Sequence, residues 1–141
     1  MFNAMMVQGQ TITTKQLNAI LPFLDTFRKM GFKCGEWTTA SESTAIPHFA
    51  FTNDFESFLQ TLYDNEWIEE LDWIKWQETA AQYVESPDLL ATANTETIRT
   101  LLTTHVRKDY FCEGHLAAMF ENGHIEAILQ RLKGIRNEAS P

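Results

Sequence analysis

Cys112 and His115 stand three residues apart in the stretch DYFCEGHLAAMFENGHI, with Gly114 between them. On a helix that spacing turns both side chains toward one place. Two chemistries use such a pair: zinc ligation, and a thiolate nucleophile served by an imidazole base. Zinc takes about four N or S ligands, usually as two closely spaced pairs. Here there is one C-x-x-H pair, and His105, His124, Cys34 or His48 would have to complete the shell from elsewhere. In the first turn of a helix, Cys112 would have its thiol pKa lowered by the dipole. It also shares a stripe with Leu116, Met119 and Phe120, the place of a packed core thiol, and that is the simpler account. No metal, no cofactor and no catalytic residue is assigned on this pattern.

The best polar constellation is Arg107, Asp109, Glu113 and His115 around Cys112. If Arg107 closes one helix and Asp109 opens the next, both charges complement the helix dipoles. Arg107 would then bridge to Glu113 across a tight corner at Lys108. A small anion, if one binds, belongs at this helix N-terminus with Arg107 above it. His105 falls on an apolar stripe and reads as a core histidine bonded to a backbone carbonyl or a carboxylate. A glycine inside a helix costs about 1 kcal/mol relative to alanine. Gly114, Ala117 and Ala118 together form a stripe of minimal side chains, which lets a helix or a tryptophan ring approach. Trp37, Trp67, Trp73 and Trp76 read as core and rim, or as an exposed Trp–Tyr patch for a protein partner. The scarcity of Lys and Arg around them argues against stacking on nucleic acid.

The elements that must position these residues follow from periodicity. Leu17, Ile20, Leu21, Leu24 and Phe27 keep helical spacing, with Pro22 forcing a kink or restart and Gly31 supplying a stop. FKCGEW (32–37) and IPHFAF (46–51) read as antiparallel strands across a polar loop, with Phe49 and Phe51 on one face. Thr52 or Asn53 caps a helix through Leu62, and Trp67–Ile68 suggests a third short strand. Asp72 caps a helix with Trp73, Trp76, Ala80 and Tyr83 on one side, and Pro87 opens a short segment through Leu90. Asn94 caps the clearest helix, carrying Ile98, Leu101, Leu102, His105 and Val106. Asp109 caps the next, to about Asn122, and Gly123 ends it. A last helix carries Ile125, Ile128, Leu129 and Leu132. Residues 1–12 and 137–141 read as loosely ordered tails.

At 141 residues and 44% hydrophobic content, the chain is long enough for one domain with a proper core. No apolar run spans a bilayer, MFNAMMVQGQ is no secretory signal, and two cysteines make no disulfide framework. A cytoplasmic location is expected. The net charge of −8 resides in residues 1–93, which hold 5 Lys+Arg against 13 Asp+Glu. Seven acids and no base lie between Asp54 and Asp72. That balance repels nucleic acid and anionic membrane.

PHFAF followed by an acidic helix, LDWIKWQ, LLTTHVRKDYFCEGHLAAMFENGHI and the closing ILQRL together resemble a family of uncharacterised small bacterial proteins, a domain of unknown function. The resemblance covers roughly residues 20–133. It implies a small cytoplasmic bacterial domain and carries no catalytic residue across. The expected fold is α+β: one predominantly helical domain with a small two- or three-stranded antiparallel sheet. The expected function is a non-enzymatic protein-binding or accessory module, its partner another protein or a second copy of itself. The rival is a small enzyme or small-anion-binding protein centred on Arg107, Cys112, Glu113 and His115.

Overall fold

A computed structural model describes residues 11–38 and 47–139. The polar loop expected after the first strand, and most of the two expected tails, lie outside the described residues. Within them the chain is a predominantly helical α+β domain with one two-stranded antiparallel sheet. Ile12 is buried, and the last helix runs to Ala139.

Thr13 opens α1 (Thr14–Ile20) with a capping box. Its hydroxyl accepts from the Gln16 amide at 3.2 Å, and the Gln16 side chain accepts from the Thr13 amide at 2.8 Å. Pro22 restarts the helix as α2 (Pro22–Phe27), since the first turn needs no donor from its nitrogen. α2 ends at Arg28, ahead of the expected stop; Gly31, at φ +80°, serves the turn that follows.

β1 (Gly35–Thr38) pairs with β2 (His48–Phe51) in the register Gly35↔Phe51, Trp37↔Phe49. Alternation turns Phe49 and Phe51 toward the core and leaves His48 and Ala50 exposed. Thr52 caps α3 (Asn53–Asp64), which buries Phe55, Phe58 and Leu62. The expected third strand does not form. Trp67 is fully buried, but its backbone is held by a side chain: Thr103 Oγ1 donates to the Trp67 carbonyl at 3.2 Å and accepts from the Glu69 amide at 3.1 Å. A hydroxyl on the neighbouring helix thus satisfies groups that a sheet ladder would otherwise have to pair.

Asp72 caps α4 (Trp73–Glu85), and Ser86 caps the single turn α5 (Pro87–Leu90). Asn94 accepts from the Thr97 amide at 2.8 Å to open α6 (Thr95–Phe111). α7 (His115–Glu121) and α8 (His124–Ala139) complete the chain, separated by Gly123 at φ +88°. In one part of the core α1 packs against α2, α3 and α8, and the Phe27 ring of α2 meets those of Phe55, Phe58 and Phe120 at 5.0–5.7 Å. In the other, α6 packs against α4, α7 and α8. No helix among the described residues is long and apolar enough to cross a membrane.

The corner expected at Lys108 lies instead at Cys112–Gly114, because α6 continues through Lys108 and Asp109 to Phe111. Neither residue is a helix breaker; the first one in the sequence is Gly114. That glycine is the N-cap of α7, at φ +96°, and does not sit inside a helix. The Trp37 ring covers it, so that an added Cβ would lie 2.7 Å from the ring carbon Cζ2. Gly114 therefore answers two demands, a left-handed backbone and room for an indole. The small-residue stripe does not exist as such: Ala117 is buried, whereas Ala118 is exposed.

Candidate functional site

The break at Gly114 sends the five candidate residues to different places. Asp109, in the last turns of α6, reaches forward and accepts from the Leu116 amide at 2.9 Å. The amides of Gly114 and His115 also face it. It caps the helix expected of it, but from seven residues away and from within the preceding helix. Burial raises its pKa, and these amide hydrogen bonds work against the rise. The amides on which an external anion would sit thus already face a carboxylate.

Arg107 does not bridge to Glu113. Glu113 accepts from the Phe49 amide at 2.8 Å and lies 3.8 Å from His48 Nδ1, tying the corner to β2. Cys112 is the C-cap of α6 and is exposed, whereas Cys34 is the buried thiol. The stripe that placed Cys112 in the core required one unbroken helix through Gly114. Burial, with help from Glu121, pushes the Cys34 thiol up to about 11.

His115 meets a partner that its sequence position does not suggest. Its Nε2 lies 2.9 Å from Nδ1 of His105, and the His124 ring stands edge-on to His105 at 5.0 Å. Three imidazoles, one each from α6, α7 and α8, thus meet in the interior. His105 is the core histidine expected, but its partner is another histidine and not a carbonyl or carboxylate. Burial drives its pKa well below the usual value, and the nearby His124, His115 and Lys108 add to this. Burial also lowers His115 and His124 to about 4, with Lys108 contributing at His115 and His115 at His124. All three are neutral at pH 7. In a neutral pair one ring nitrogen donates and the other accepts, so the two tautomers are linked. Nε2 of His105 and of His124 has no partner among the described residues. No group of three or more His, Cys, Asp or Glu side chains among the described residues is placed to hold a metal ion.

The prominent surface feature lies further along α6. A groove of about 580 Å³ runs between Leu71 and Trp73 on one side and Val106, Arg107 and Tyr110 on the other. Tyr110 is 89% exposed and Phe111 72%. Phe111 stacks on Trp73 at 5.6 Å, with the planes 18° apart. Tyr63 and Ile74 add further exposed apolar surface. Reading residues 109–122 as one new helix hid this patch, because it assigned Tyr110 and Phe111 to the wrong element.

These features define a small helical α+β domain with an aromatic groove and a buried imidazole cluster. Residues 12–138 match the family of unknown function DUF6508, and the chain belongs to that family. Neither a curated protein nor a solved structure matches it.

Proposed function

We propose that the domain is a non-enzymatic protein-binding module of the bacterial cytoplasm, and that its docking face is the groove between Trp73 and the end of α6. The observation that carries this reading is the pair of consecutive large rings, Tyr110 and Phe111, left exposed beside a concave surface. Exposed aromatic clusters of this kind mark interaction sites, and aromatic anchors supply much of the binding energy in interfaces. The charge around the groove selects the occupant. Glu70 lines it, Glu66, Glu69 and Asp72 neighbour it in sequence, and Arg107 is the cation in its wall. The partner is therefore a segment with an apolar anchor flanked by Lys or Arg. A second copy of this chain, with net charge −8, is electrostatically disfavoured.

The test is a photo-crosslinking amino acid at Tyr110, introduced in cells that make the protein naturally. A discrete heterologous product is expected, with the linked peptide apolar and basic, and it should vanish in Phe111→Ala. Crosslinks only to the protein itself, or a product indifferent to Phe111→Ala, would overturn the reading.

A further inference from the structure

A second cavity lies between α4, α6 and α7, away from the aromatic groove. Its volume is about 150 Å³, a size that in apolar interiors accepts one six-membered ring. Ala80, Ala81 and Val84 of α4 and Met119 of α7 supply apolar walls. The depth comes from the two consecutive alanines, since a larger side chain at either position would fill the space. A methionine thioether is a favourable neighbour for an aromatic ring.

His105 and His115 line it too, beside the polar side chains of Gln77, Thr104, Glu85 and Lys108. Their mutual bond uses Nδ1 of His105 and Nε2 of His115, which leaves one nitrogen free on each ring. Nε2 of His105 is buried without a partner, and Nδ1 of His115 makes no hydrogen bond among the described residues. The tautomers are coupled. When His115 Nδ1 accepts a hydrogen bond from a guest, Nε2 of His115 carries the hydrogen and donates to His105. When Nδ1 donates, the direction reverses. The pair therefore presents either a donor or an acceptor to a guest without gaining or losing a proton. Lys108 and Glu85 contribute one charge of each sign to the lining, so the cavity selects neither an anion nor a cation.

We infer that this cavity is a binding site for a small neutral aromatic ring bearing one N–H or O–H, a heteroaromatic or phenolic compound, held by hydrogen bonding to the His105–His115 pair. The site is independent of the groove that carries the proposed protein-binding role.

The experiment titrates phenol and pyrazole into the full chain at neutral pH, with benzene and benzoate as references. Binding is followed by calorimetry and by ¹⁵N chemical shifts of the histidine rings, which report the tautomer. Phenol and pyrazole should bind saturably, about five- to tenfold tighter than benzene, the gain expected of one net hydrogen bond. Both should shift the His115 and His105 ring nitrogens. Ala81→Leu fills the cavity from an exposed position that the fold can tolerate, and it should abolish binding. His115→Phe should leave benzene affinity and remove the preference for phenol. Equal affinity for benzene and phenol, tighter binding of benzoate, an unaffected Ala81→Leu variant, or no saturable binding by any of the four would overturn the proposal.

Discussion

Asp109 Oδ1 and the Leu116 amide are 2.9 Å apart, joined across the end of one helix and the start of the next. The carboxylate belongs to α6, yet it satisfies a donor of α7, which has no capping side chain at its own N-cap, Gly114. Asp109→Ala should therefore behave as a lost N-cap and cost about 0.5–2 kcal/mol. Asp109→Asn, whose side-chain oxygen still accepts, should cost less. Urea unfolding midpoints measure both. An unchanged midpoint for alanine would show that solvent caps α7 equally well.

Trp37 and Gly114 should be energetically coupled. Gly114→Ala forces both a left-handed alanine and a Cβ 2.7 Å from the indole, a combined cost of about 2–4 kcal/mol. In a Trp37→Ala background the steric part is gone, and the cost should fall to about 1–2 kcal/mol. A double-mutant cycle in urea reads the difference. Equal costs in the two backgrounds would mean that the ring does not press on the backbone.

The histidine cluster should make the fold sensitive to acid. In the unfolded chain, histidine titrates near 6.5; in the fold, His115 and His124 titrate at about 4, and His105 is also held well below its usual value. Between these limits the unfolded chain binds protons that the fold refuses, so stability falls as pH drops from about 6.5 toward about 4. Above 6.5 the cluster contributes no pH dependence. The loss by pH 4 should be at least about 3 kcal/mol, the amount that one such buried histidine contributes. Asp109, with its pKa raised, acts in the opposite sense at the acid end of this range. Urea midpoints across pH measure the slope. In NMR spectra, the ring protons of His105, His115 and His124 should show no transition near 6.5, and a normal transition at any of them would refute the burial argument.

Most helix starts were legible because each is marked locally: α3, α4 and α6 by the capping side chains of Thr52, Asp72 and Asn94, and α5 by a proline at its first position. The corner was not legible, because an aspartate that caps three residues ahead and one that caps seven ahead look the same in a sequence. That single misplacement moved Cys112 from surface to core and concealed the Tyr110–Phe111 patch. The histidine cluster was hidden for another reason. His105, His115 and His124 share no periodicity, and they meet only because the chain reverses at Gly114 and again at Gly123. The third strand failed because Thr103, far along the chain, supplies the hydrogen bonds of Trp67 and Glu69.

The bond from the Phe49 amide to Glu113 has a further consequence for the small sheet. With β1 on one side, the outward amide of β2 is the group on which another extended chain would begin to pair. A carboxylate 2.8 Å away already occupies it. An incoming strand would have to displace a charged acceptor and bring its own carbonyl in its place. The ribbon is thereby guarded against lengthening at this amide, and with it against sheet-to-sheet aggregation.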